Sequence, residues 1–369
     1  MQNLNKIINV SLLGATGMVG QNYLRLLENH PWFQVVDVAA SPRSAGKKYV
    51  DALDGNWLMP SDMPNTIRDL VVRDARDFGS IPENVTCVFS AMDLLDKSDT
   101  RNLEFEYAAK GFPLISNCSA NRWTDDVPMI IPEINPQHTD LIPIQQTNRN
   151  FPKSGFVAVK PNCSVQSYLV TLFALIEAGF PVERVQVTTL QAISGAGQAG
   201  LNSEEMKENV VPFISGEEEK TEREPLKILG KVKGTGILNY SQVEISALCT
   251  RVPVIDGHTA VVHVAFKKEI PSLDQIKLIW NEFTGTPQKE QFPMAPNNPI
   301  LYFEEENRPQ PKQDRDLGKG MAVSVGRLAE DKFFDIRYVA LSHNTVRGAA
   351  GGAILMAELL VEKGYIHVK

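Results

Sequence analysis

Residues 6–20 read KIINVSLLGATGMVG, an apolar and β-branched run interrupted by Gly14, Gly17 and Gly20. Residues 6–13 have the composition of a buried strand, and 19–28 have the spacing of an amphipathic helix. Glycines at such a turn permit a tight bend and close approach of the backbone to a ligand. The free N–H groups of the helix start attract a pyrophosphate. The spacing is GxxGxxG rather than GxGxxG, so position carries more of the argument than pattern. A dinucleotide site at Gly14, Thr16, Gly17, Met18, Val19 and Gly20 is expected; an ordinary strand–helix turn with spare glycines is the plainer alternative.

Outward from this turn, short apolar runs alternate with helical patterns, as in βαβ units on a parallel sheet. Strands are expected at 34–40, 69–73, 86–92, 112–117 and 156–160, with a helix at 98–110 and connections around a short strand at 127–152. Near residue 155 the texture changes. A helix at 164–178 precedes long alternating strands at 182–194, 243–255, 259–267, 321–329 and 333–341, with another helix at 272–284. The expected fold is α/β: a Rossmann-like domain over 1–160, completed by a returning helix in 345–369, and an α+β domain over 161–344. The second sheet should be mostly antiparallel, with 204–227 and 285–319 as loop insertions.

The length of 369 residues is enough for about two domains. With 43% hydrophobic and 22% charged residues, the chain has ample core material and is not a disordered tail. Its net charge of −7 argues against a nucleic-acid partner. No segment approaches the ~18 apolar residues of a membrane span, and residues 1–6 lack a secretory signal. Four cysteines without CxxC spacing suggest neither a disulfide framework nor a metal site. A cytoplasmic protein is expected.

Cofactor choice is read at the end of the second strand. An NAD site would place an acidic residue there for the ribose hydroxyls. The strand ends instead in Ala39-Ala40, followed by Ser41, Arg43 and Ser44, which suit the 2′-phosphate of NADP(H). Asp37 lies earlier and reads as an outward strand residue.

Asn-Cys-Ser occurs twice, at 117–119 and 162–164. Cys163 precedes an expected helix whose N-terminus would favour the thiolate. Cys118 leads into a loop, and Cys87 and Cys249 lie in apolar strands. Cys163 is therefore the candidate nucleophile. His258 is its candidate proton partner, and Arg251, on what reads as the same hairpin, is a possible carboxylate clamp. His30, His138, His263 and His367 read as structural.

Gly14–Gly20, Asn121-Arg122, Pro161-Asn162-Cys163-Ser164, the run Gln191–Gly197, Gly216–Lys220 and Arg251…Asp256-Gly257-His258 occur in that order. Together they resemble the aspartate-semialdehyde dehydrogenases, in particular the archaeal and fungal branch. The resemblance implies reductive dephosphorylation of L-aspartyl-4-phosphate with NADPH, on the way to lysine, threonine and methionine. It implies Cys163 as acyl-enzyme nucleophile and His258 as acid/base. Arg251 would hold the substrate carboxylate, Glu217 (or Glu218 or Glu219) its ammonium, Arg122 and Lys220 the phosphoryl group, and Gln191 the acyl group. Ser90, Ser194, Gly195 and Asn344 would join the cofactor site, and Cys118 would be a bystander. A homodimer or homotetramer, joined through the second domain, is also implied. The rivals are a related acyl reductase acting on N-acetylglutamyl phosphate or malonyl-CoA, and a non-catalytic NADP-binding regulator.

Overall fold

The computed structural model describes residues 7–367; Lys6 of the expected first strand, the rest of 1–6 and the last two residues of 345–369 lie outside it. The first sheet contains β1 (Ile8–Leu13), β2 (Phe33–Ala40), β3 (Arg73–Asp74), β4 (Cys87–Ser90), β5 (Pro113–Ser116) and β6 (Phe156–Val159). Its order is β3-β2-β1-β4-β5-β6, and every pairing is parallel. The order reverses between β1 and β4, and a parallel sheet opens its ligand crevice at such a point, beyond the strand C-termini.

Side-chain alternation divides this sheet between two cores. Val88, Leu114, Val157 and Val159 join one cluster, while Phe89, Ile115, Phe156 and Ala158 join the other. The second cluster also contains Tyr23 and Leu24 of helix Met18–Leu27 and Ile354 and Leu359 of helix Gly351–Glu362. The C-terminal helix therefore does return to the first sheet. It begins after a π-turn at Val346–Ala350, so the final segment is not one regular helix.

The second sheet is built on β7 (Val182–Ala192), β10 (Glu244–Val252), β11 (His258–Phe266), β12 (Ile300–Phe303), β13 (Val323–Glu330) and β14 (Ile336–Ser342); a small hairpin, β8 (Lys231–Lys233) and β9 (Gly236–Leu238), stands apart. Its order is β10-β7-β11-β14-β13-β12. The central pairings are antiparallel, but β10–β7 and β12–β13 are parallel, so the sheet is mixed. This corrects the expected hairpin of Arg251 and His258, because β7 lies between β10 and β11. The parallel edges require crossovers, and the two stretches expected as loop insertions contribute to them. Residues 204–227 contain most of helix Glu217–Ile228, and 285–319 contain β12.

The stretch 127–152, expected as connections around a short strand, contains a helix at Leu141–Arg149, and the strand shrinks to a bridge between Met129 and Val159. Pro143 sits in its first turn, where the missing N–H has no intrahelical acceptor to lose.

Candidate active site

Beyond β6, the turn Lys160-Pro161-Asn162 carries Cys163 into a cleft of about 290 Å³ lined by residues of both sheet units. Asn162 shapes the turn. Its Oδ1 accepts the Ser164 N–H at 2.8 Å, its Nδ2 donates to the Glu217 carboxylate, and its own N–H donates to Glu224. The expected helix start behind the cysteine is broken: a 3-10 turn spans Val165–Ser167, and the α-helix begins only at Leu169. An aligned helix dipole is therefore not what tunes this thiol.

Cys163 Sγ lies 3.3 Å from His258 Nε2. His258 Nδ1 accepts the Ala192 N–H at 3.0 Å, so the neutral ring carries its proton on Nε2, facing the sulfur. Burial, and then the Arg251 charge, push the His258 pKa down to about 3. To charge the ring, Nδ1 would have to become a donor, and the Ala192 contact would have to open. Burial and then Glu217 raise the Cys163 thiol, while Lys160, Arg122 and Arg251 oppose them. The thiolate is favoured by these cations and by the donor on Nε2.

Arg251 reaches the cysteine from β10 across β7, with Nη1 donating to Ala192 O at 2.9 Å. The absence of a side chain at Gly195 makes room: a Cβ there would stand 2.7 Å from Arg251 Nη1 and 3.2 Å from His258 Nε2. Glu217 opens its helix and accepts from Lys220 at 2.7 Å and from Gln191 at 3.1 Å. Burial would raise this carboxyl, but Lys220, with Gln191 and Asn162, holds it below the ordinary range. Glu218 instead accepts from the Cys249 N–H and Glu219 pairs with exposed Arg223, so Glu217 is the member of the run that faces the cleft.

Comparison with known proteins agrees with this arrangement. The model of the semialdehyde dehydrogenase NAD binding domain matches residues 9–142, and that of the semialdehyde dehydrogenase dimerisation domain matches 172–347. The aspartate-semialdehyde dehydrogenase of Methanothermobacter thermautotrophicus is 44% identical over 358 residues, covering 96% of this chain and 99% of that protein. That of Aspergillus fumigatus is 43% identical, covering 96% and 97%. The chain belongs to the aspartate-semialdehyde dehydrogenase family. The crystal structure of the Candida albicans enzyme with NADP superposes on it with a TM-score of 0.87 at 38% identity, covering 98% of this chain and 100% of that one.

Within this family fold, the cleft gathers Met18, Val19, Arg122, Cys163, Gln191, Ser194, Gly195, Glu217, Lys220, Arg251 and Asn344 from the residues read in the sequence. Gly14, Thr16, Gly17 and Gly20 form the turn after β1. A Cβ at Gly14 would meet Ala91 O at 2.6 Å, and one at Gly20 would meet Gly14 O at 2.3 Å. Ser41 and Ser44 are half-buried and Arg43 is exposed in the turn after β2. Asn344 accepts the Gly257 N–H and donates to Ser194 Oγ, both at 2.8 Å.

Ser90 is buried beside Cys118, at 3.9 Å, and does not line the cleft. Asp37 is not outward but buried in an ion pair with Arg73 at 2.8 Å, and Ser11 Oγ also donates to it. Cys118, read as a bystander on a loop, does line the cleft. Burial and then Glu104 raise its thiol well above the ordinary range. Arg122 faces the cleft but is bound to Glu224 at 2.9 Å and to the carbonyls of Lys160 and Asn117. Lys160, Asn117 and Glu224 were not found from sequence. Glu224 sits in a charged run that reads as solvated surface, and Lys160 adjoins the motif without belonging to it.

No group of His, Cys, Asp or Glu among the described residues could hold a metal ion, and none of their helices is long and apolar enough to cross a membrane.

Proposed function

We propose that this chain is an NADP-dependent aspartate-semialdehyde dehydrogenase, converting L-aspartyl-4-phosphate to L-aspartate-4-semialdehyde on the route to lysine, threonine and methionine. The observation that carries the reading is the contact of Cys163 Sγ with His258 Nε2, in the cleft that Arg251 and Glu217 also enter. The close-packed turn at Gly14 and Gly20 suits a dinucleotide. Asp37 is committed to Arg73, which leaves Ser41, Arg43 and Ser44 beyond β2 for a 2′-phosphate.

Cys163 Sγ attacks the acyl carbon, phosphate leaves, and a thioester forms, which divides one hard substitution into two easier steps. NADPH, when bound, supplies the hydride that reduces this thioester. His258 is the proton partner: Nε2–H steadies the thiolate and then the substrate oxygen, proton uptake at the ring requires the Ala192 contact to open, and breaking of the C–S bond releases the aldehyde and returns the Cys163 thiolate. Arg251 holds the α-carboxylate, Glu217 the ammonium and Gln191 the acyl group, while Arg122 and Lys220 bind the phosphoryl group. An N-acetylated or acyl-CoA substrate would leave Glu217 without an ammonium in a closed site.

Residues 1–160 with 345–369 serve the cofactor in this reading, and 161–344 carry catalysis and assembly. A homodimer or homotetramer fits the exposed Leu248 on the edge strand β10 and the exposed Ile255 just beyond it. A cytoplasmic setting fits four free cysteines. Absorbance of reduced nicotinamide tests the function: aspartate semialdehyde, NADP and inorganic phosphate together should produce NADPH, and phosphate-independent or absent reduction would refute it.

A further inference from the structure

Lys160 is 2% exposed, yet it lines the catalytic cleft. Its Nζ donates to Pro161 O at 2.5 Å, a neutral acceptor. Its backbone is held rigidly, with the N–H donating to Ser116 O and the carbonyl accepting from Arg122 Nε at 3.0 Å. A buried ammonium without a counter-charge is costly, so its persistence here needs an explanation.

The charges of the cleft supply one. Arg122 is matched by Glu224 at 2.9 Å, and Lys220 by Glu217 at 2.7 Å. Among the described residues no carboxylate lies within ion-pair distance of Lys160 or Arg251, and Asp93, the remaining acid of the cleft lining, is exposed. Two residues that line the cleft thus carry cations without a carboxylate partner, and the substrate, in the function proposed above, carries two anionic groups. Arg251 is taken by the α-carboxylate. The phosphoryl group leaves from the carbon that Cys163 attacks, and Lys160 stands three positions before Cys163 on the same turn.

We propose that Lys160 is a substrate-binding residue: its ammonium, with no ion-pair partner among the described residues, joins Arg122 and Lys220 in receiving the phosphoryl group, and inorganic phosphate in the reverse direction. This rests on the proposed reaction. Burial, followed by the neighbouring Arg122, lowers the lysine to about 7, whereas Cys163 and Glu224 favour its charged form. An arriving dianion would act in the same sense as those two groups.

Protection of Cys163 from alkylation by inorganic phosphate, read by mass spectrometry on the intact protein, tests this without requiring turnover. In Lys160→Met the phosphate concentration for half-protection should rise about tenfold or more, the loss of one charge-assisted contact. The KM for phosphate should rise in parallel, with the KM for aspartate semialdehyde little changed. The melting temperature should hold or rise, since an unmatched buried charge is removed. Unchanged half-protection, or no protection in the parent, overturns the proposal. Loss of the fold also overturns it, by showing that the ammonium serves structure. Failure of the proposed reaction is distinguishable: phosphate would protect Cys163 through Lys160 while NADP stayed oxidised.

Discussion

At the scale of single residues, two cysteines share one cleft and differ in what surrounds them. Cys163 has the Nε2–H of His258 at 3.3 Å and three cations that favour its thiolate. Cys118 donates to Met92 O at 3.2 Å and has Glu104 and Asp93 disfavouring its ionised form. Cys163→Ser should abolish turnover and leave NADPH binding intact, whereas Cys118→Ala should keep most activity; steady-state rates and cofactor titration of both variants check this, and the opposite pattern would reverse the assignment. Arg251→Lys keeps the charge but loses the planar fork and the Nη1 contact to Ala192 O. The substrate should then be misplaced as well as weakly held, so kcat should fall by about tenfold while KM rises. Kinetics indistinguishable from the parent would make Arg251 an ordinary strand residue.

At the scale of elements, the three glycines of the β1 turn have different duties. Gly20 packs against backbone, its Cβ position 2.3 Å from Gly14 O and 2.7 Å from the Ala15 Cα. Gly17 has φ −78° and meets nothing nearer than 3.5 Å. Gly20→Ala should therefore destabilise the fold by about 1–3 kcal/mol. Gly17→Ala should leave the melting temperature unchanged and weaken NADP binding, because nothing in the fold crowds its Cβ position while the proposed dinucleotide would approach it. Calorimetry and a cofactor titration on the pair separate the two duties, and equal melting losses would refute the distinction. The turn itself was legible in the sequence, since strand, bend and helix start follow one another within 6–20. The helix Glu217–Ile228 was less legible: Pro225 and a run of charges resemble a solvated loop, and only packing shows that Glu217, Thr221 and Glu224 share a buried face.

At the scale of the whole molecule, the C-terminal return completes the site. Asn22 Nδ2 donates to Thr345 O, tying helix Met18–Leu27 to that segment. A Cβ at Gly348 would lie 2.8 Å from Cys163 Cβ. Asn344 joins Gly257, just before β11, to Ser194, just after β7. Asn344→Ala leaves a buried N–H unpaired, at about 1–3 kcal/mol. The urea midpoint should drop and kcat should fall with it, because His258 follows Gly257 directly; a variant with a lowered midpoint and parental kcat would show that the bridge is structural only.

The amino-acid sequence by itself determined what depends on near neighbours: the glycine turn after β1, the succession of strands, the turn that carries Cys163, and the strand positions of Arg251 and His258. Apolar periodicity and the φ preferences of glycine act within a few residues, so these features are written locally. Only the tertiary structure decided which strands are adjacent. It placed β7 between β10 and β11, faced Glu217 rather than Glu218 or Glu219 to the cleft, and set Glu224 against Arg122 across 102 residues of chain. It also left Lys160 buried with no carboxylate of the described residues within ion-pair distance. Pairing and burial of charge are set by surfaces that meet only after folding, and no local pattern encodes which carboxylate will reach which cation.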